Sequence, residues 1–200
     1  MHKRRFLGAT IGGAITGMSL APSIAQAQHA PQTQPGPTLL TVSGLIGSGN
    51  RGPLDPALDQ MLAKQKVSFR KAHTFDFAAL TAMPAVTIKP TLEYDGKPHT
   101  LKGPLLADVV RASGAKVMDK TQLLLRAVDG YAVQLSATEA TARRFIVATH
   151  VDGRPLALGG LGPLWAVYDA DRFADMAAKP VSERFALCPW ALYHVEVKEG

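Results

Sequence analysis

The sequence predicts a single α+β domain: a mixed, curved sheet of about seven to nine short strands with three or four short helices. Three observations lead there. Strand-like apolar runs follow one another with only occasional helical stretches between them, which argues against a doubly wound parallel sheet. Two Asp-Gly dipeptides, Asp129-Gly130 and Asp152-Gly153, sit beside such runs, and Asp-Gly accepts the positive φ of a tight hairpin turn. The chain has 200 residues, 46% hydrophobic and 19% charged. After removal of a leader, that is one ordinary globular domain with room for a core.

Residues 1–27 read as a cleavable secretory signal. Lys3, Arg4 and Arg5 supply a positive start, Phe6 to Ala21 is apolar and rich in Gly and Ala, and Ala25-Gln26-Ala27 offers a cleavage site before Gln28. Thr and Gly interrupt the apolar run, so it falls short of the roughly 20 residues that span a bilayer. The expectation is therefore an exported, periplasmic protein and not an integral membrane protein. Arg4-Arg5 followed by Phe6-Leu7 is only weakly similar to a twin-arginine signal, because Gly8 stands where a second large apolar residue belongs; the general secretory route fits better. Residues 28–38, rich in Pro and Gln, read as a disordered linker. The domain is expected over 39–200.

The formal net charge is +6. Removing Lys3, Arg4 and Arg5 from the 22 basic residues leaves 19 against 16 acidic ones, a net +3. The remaining basic residues are scattered, whereas a nucleic-acid partner needs a clustered stripe. The single cysteine, Cys188, rules out an intrachain disulfide and reads as a small buried hydrophobe.

Along the domain, Leu39 to Gly44 is a short strand and residues 47–53 a loop. Asp55-Pro56 opens a helix to about Lys64. Alternation over Val67 to Lys71 predicts a half-buried strand, and Asp76 caps a helical turn from Phe77 to Met83 that Pro84 ends. Val86 to Tyr94 is the next strand, with Pro90 marking an edge or bulge. Gly103-Pro104 starts a helix presenting Leu105, Leu106, Val109 and Val110, with Gly114 as its stop. Leu123–Val128 and Tyr131–Leu135 form a hairpin. Ser136 caps a short helix with Glu139 in its first turn, Phe145–Thr149 is a buried strand, and Leu164–Tyr168 is a near-continuous apolar strand, hence buried on both faces or central. Trp165 belongs to the core. Residues 169–178 read as a polar helix and Phe185 to Val197 as the last strand. The loop Gly159-Gly160-Leu161-Gly162-Pro163 has neither dinucleotide nor P-loop spacing; its glycines allow close backbone approach to a ligand or to a neighbouring strand.

The succession Ala127-Val128-Asp129-Gly130-Tyr131, then Asp152-Gly153-Arg154-Pro155-Leu156, then Gly162-Pro163-Leu164-Trp165-Ala166-Val167-Tyr168 resembles the sulfite-oxidase-type molybdopterin-binding domain. It is most similar to the small, stand-alone periplasmic members of that oxidoreductase superfamily. Trp190, Tyr193 and Val195 resemble the family's ending, so the likeness spans about residues 39–198. The resemblance implies a pterin cleft, with the Asp129-Gly130 turn and Tyr131 at its rim. In catalytic relatives a strand and turn deliver a cysteine thiolate to molybdenum, a soft ligand that oxygen replaces poorly. The matching stretch here is Thr91-Leu92-Glu93-Tyr94-Asp95-Gly96, with Tyr94 nearest the ligand position. A phenol titrating near about 10 is a weak substitute.

Arg126 and Arg154, with His99, His150 and Lys102, are candidates to hold a phosphate-bearing or other small anionic ligand, since guanidinium groups pair bidentately with such anions. The candidate cofactor-binding set is thus Tyr94, His99, Arg126, Asp129, Tyr131 and Arg154, with no catalytic or metal-ligating residue assigned. The six histidines lack metal-ligand spacing, and no G-x-S-x-G elbow occurs. Two functions remain. One is a non-catalytic module that binds a small anionic ligand or a periplasmic partner protein. The other is a molybdopterin-dependent oxidoreductase; molybdopterin enters through the resemblance alone.

Overall fold

The computed structural model describes residues 35–200, which form one compact unit. The expected signal, 1–27, and most of the expected linker lie outside the described residues. Eleven short strands and five short helices make an α+β domain with a mixed sheet, the expected class with more and shorter elements.

The first sheet has the order β2-β1-β11-β5-β6. It is built from β1 (Leu40–Gly44), β2 (Ala72–Phe75), β5 (Gln122–Ala127), β6 (Ala132–Ser136) and β11 (Leu192–Lys198). The C-terminal strand β11 is its centre, parallel to β1 and antiparallel to β5. The β5–β6 hairpin turns at Asp129-Gly130, as expected, with Leu125 facing Val133 and Leu123 facing Leu135. Alternate residues Leu123, Leu125 and Ala127 are buried, which is the period of two that a one-sided strand imposes.

The second set of strands pairs as β3-β4-β8-β9 and β10-β7. Their ranges are β3 (Ala85–Ile88), β4 (Leu101–Pro104), β7 (Ile146–Ala148), β8 (His150–Val151), β9 (Arg154–Pro155) and β10 (Trp165–Val167). β7 and β8 are nearly one run along β4: Lys102 faces His150, whereas Leu105 faces Ile146, a slip of one residue around Thr149. At Asp152-Gly153 both residues have positive φ, 47° and 78°, as a two-residue hairpin turn between β8 and β9 requires. Both sets of strands bury their apolar faces in one core with α2 (Phe77–Ala82), α3 (Leu106–Ala112) and α4 (Ala137–Ala142), through Leu80, Leu106, Val109, Val110 and Ala140. The expected caps are present. Asp76 accepts from the Ala79 amide at 2.7 Å and Ser136 from the Glu139 amide at 3.0 Å, satisfying amides that a helix start leaves free.

Several boundaries differ from expectation. Helix α1 is confined to Gln60–Lys64, because Asp55 instead caps a preceding turn at the Ala57 amide. Residues 67–71 form no strand; their alternation reports burial of Val67 beside Leu62 and Tyr193, and the strand that pairs with β1 is 72–75. The strand from Val86 stops at Ile88, before Pro90, which has no amide to donate. Gly103 and Pro104 end β4 rather than begin α3. The helix expected over 169–178 divides into a single 3-10 turn, Ala170–Arg172, and α5, Ala174–Ala177. Trp165 is buried, and its indole donates to the Cys188 carbonyl at 2.8 Å. Gly162 settles the glycine loop: a Cβ there would lie 2.5 Å from Leu156 Cβ, so the close neighbour is the chain itself.

Gly103 sits where β4 meets β7, and a Cβ would fall 1.9 Å from the Val147 carbonyl oxygen. Gly103→Ala must push backbone apart, so it is expected to destabilise by about 1–3 kcal/mol or more, read as a lowered urea midpoint. An unchanged midpoint would show that these strands are not in the stated contact.

Candidate functional site

Three loops meet at one cavity. The first is the β3–β4 connection, in which the Leu92 amide donates to Lys97 O and the Gly96 amide to Leu92 O, so that Glu93 and Tyr94 stand at the tip of a tight turn. The second is the β5–β6 turn, where Asp129 Oδ1 accepts from the Tyr131 amide at 2.9 Å. The third is the segment 185–191 that leads into β11. Sequence reasoning placed this segment in the last strand. It is a loop because Pro189 lacks a donor and Ala191 takes φ 50°. Tyr131 ties the last two together, its hydroxyl donating to the Ala186 carbonyl at 2.6 Å. The cavity, about 260 Å³, is lined by Glu93, Tyr94, Ala127, Asp129, Tyr131, Ser182, Phe185, Ala186, Cys188 and Trp190.

The structure therefore brings Tyr94, Asp129 and Tyr131 together and places His99, Arg126 and Arg154 elsewhere. Burial, with the Glu93 carboxylate beside it, pushes the Tyr94 phenol up to about 12. Arg126 lies on β5, bonded to Glu196 at 2.9 Å and to His194 Nδ1 at 3.1 Å. A guanidinium only donates, so His194 Nδ1 is the acceptor and its Nε2 carries the proton given to Ser43 Oγ, 2.9 Å away. Burial, reinforced by Arg126, pushes His194 down to about 3. This Ser-His contact has the wrong polarity for a general base acting on the serine, and both residues are buried.

His99 is held between two carboxylates, Nδ1 at 2.6 Å from Asp152 Oδ2 and Nε2 at 3.0 Å from Asp95 Oδ2. It staples the Tyr94 loop to the β8–β9 turn and so positions the cavity wall without lining it. Arg154 is exposed on β9. Lys102 is exposed on β4, and His150 bonds Thr149 Oγ1 at 2.8 Å. The expected basic cluster does not assemble around one ligand: Lys102 and His150 face each other across β4 and β8, but Arg126 lies in the other sheet, and Arg126 and His99 are already paired with carboxylates. Glu93, Cys188 and Trp190 are among the lining residues that the sequence did not single out as a site. The local signal was Pro189, which is out of place inside a strand.

No known family's sequence profile matches the chain, and no curated protein matches it. Among solved structures, the chain is similar to the sulfane dehydrogenase SoxCD of Paracoccus pantotrophus. The TM-score is 0.52 at 11% identity, over 80% of this chain and 38% of that one. The chain thus spans well under half the length of that protein. The likeness concerns the fold alone: this chain distantly shares the fold of part of that dehydrogenase.

The residues present do not fit the molybdopterin group. Its phosphate and dithiolene are anionic, yet Glu93 and Asp129 line the cavity and, among the described residues, no lysine, arginine or histidine does. The one thiol, Cys188, is buried, and that burial pushes it far above the usual thiol range, whereas thiols that ionise readily sit in exposed, electropositive surroundings.

The carboxylates hydrogen-bonded to His99, Asp152 first and then Asp95, hold it above 6.5, and His99 holds both of them below 3.8. The histidine's share of the staple is complete below 6.5 and lost as pH rises through its raised value. The carboxylates' share is complete above 3.8 and lost as pH falls through their lowered values. By NMR, His99 is expected to titrate above 6.5 and Asp152→Asn to bring it down. A midpoint unmoved by Asp152→Asn would remove the staple.

Proposed function

We propose that the protein is an exported, non-catalytic binding module on a molybdopterin-oxidoreductase-like fold. The carrying observation is chemical. By the resemblance, Tyr94 falls nearest the position where a metal-binding thiolate is wanted, a phenol is a poor substitute for it, and the chain's only cysteine, Cys188, is buried. Fold descent does not bring activity with it. Recognition is assigned to the cavity formed by Tyr94, Asp129 and Tyr131, with His99 as a positioning residue. Arg126 supports the sheet. Export rests on the leader-like residues 1–27, and a periplasmic location follows from it.

The reading is tested on protein purified from its native compartment. Molybdenum is expected far below one atom per chain, with no pterin fluorescence after denaturation. Stoichiometric molybdenum that disappears in Tyr94→Ala would establish a molybdopterin-dependent oxidoreductase instead. Separately, N-terminal sequencing of the mature protein is expected to begin at Gln28; a chain retaining residues 1–27 would end the export reading.

A further inference from the structure

Tyr94, Tyr131 and Trp190 are 58%, 49% and 38% exposed, and among the described residues they are the only exposed phenylalanine, tyrosine or tryptophan side chains. All three line the same cavity. They come from three separate loops, so their meeting is a product of the fold and not of local sequence. Tyr131 is fixed as a wall by its hydroxyl bond to Ala186, and Phe185 lies buried among the lining residues. Large apolar rings left open to water singly are ordinary; gathered around one concavity they mark a ligand site.

The charge of the lining says which ligand. Glu93 and Asp129 contribute carboxylates, and neither is in an ion pair among the described residues. Asp129 uses one oxygen on the Tyr131 amide, which leaves the other without an assigned partner. Aromatic faces carry negative potential and attract cations, most strongly where the cation is weakly hydrated. Carboxylates added to aromatic faces repel phosphates and carboxylates and favour a positive charge. At about 260 Å³ the cavity lies below the roughly 300–1,000 Å³ of drug-sized sites, so the occupant is small. We infer that the cavity formed by Tyr94, Tyr131 and Trp190 with Glu93 and Asp129 binds a small organic ammonium cation, alkylated at nitrogen.

This inference rests on the binding-module reading and names its ligand class; the small anionic ligand expected from the sequence has no cationic partner in this cavity. The test titrates metal-free mature protein with choline, with the uncharged isostere in which carbon replaces the quaternary nitrogen, and with inorganic phosphate. Choline is expected to bind saturably and to perturb Trp190 fluorescence. The isostere is expected to bind at least ~10-fold more weakly, and phosphate not at all. Glu93→Gln with Asp129→Asn keeps the turn acceptor at Tyr131 and should weaken choline by a similar factor, with an unfolding midpoint that shows the fold intact. Equal binding of charged and uncharged probes, unchanged binding in the double variant, or no choline binding would each overturn the assignment. Molybdenum in the native protein would instead sink the module reading, whatever the titration gave.

Discussion

Strand β11 is the constraint on which the domain depends. It lies between β1 and β5, so the first strand of the domain and the central hairpin are joined only through the last strand. Val195 and Val197 turn into the main core, while His194 and Glu196 engage Ser43 and Arg126 on the other face. Both faces of this strand are thus committed. Its polar face is tolerable because each buried group has a partner: Arg126 donates to His194, His194 donates to Ser43, and Glu196 closes the guanidinium's charge. A buried polar group left without a partner is costly. Arg126 therefore works as a structural cation, which is why it is absent from the cavity.

The loop entering β11 is anchored from the other side. The Trp165 indole holds the Cys188 carbonyl, and the Ala166 amide holds the Pro189 carbonyl at 3.2 Å. Those bonds keep Cys188 inward and Trp190 outward, so β10 sets the shape of the cavity without contributing a side chain to its lining. A sulfur held in apolar surroundings is inert, and the polar side-chain groups of the lining are the Glu93 and Asp129 carboxylates, the Tyr94 and Tyr131 phenols, the Ser182 hydroxyl and the Trp190 indole.

Local chemistry was readable in the sequence. Asp76 and Ser136 cap helices as their types require, both Asp-Gly dipeptides turn, and Leu164–Tyr168 is a buried apolar run, although its strand β10 pairs with β7 alone and is not central in a sheet. What could not be read was long-range. Nothing near Val67 says that Ala72, not Val67, begins the strand paired with Leu40–Ser43. Nothing near Trp190 says that a loop some sixty residues away presents Tyr131 to the same cavity. The candidate site was half legible for the same reason. Tyr94, Asp129 and Tyr131 were found through the turns they occupy. Arg126 and Arg154 were chosen for their charge alone, and charge does not say which face of a strand a side chain takes or who neutralises it.

Because the central strand β11 follows β1 and β5 in the chain and lies between them, a growing chain cannot complete the first sheet until β11 has been made. Until then β1 and β5 each present an unpaired edge of backbone amides and carbonyls, the kind of surface on which neighbouring chains can add. The first sheet therefore assembles only once β11 is available, rather than stepwise outward from β1. Removing β11 would split the sheet down its middle instead of trimming its margin.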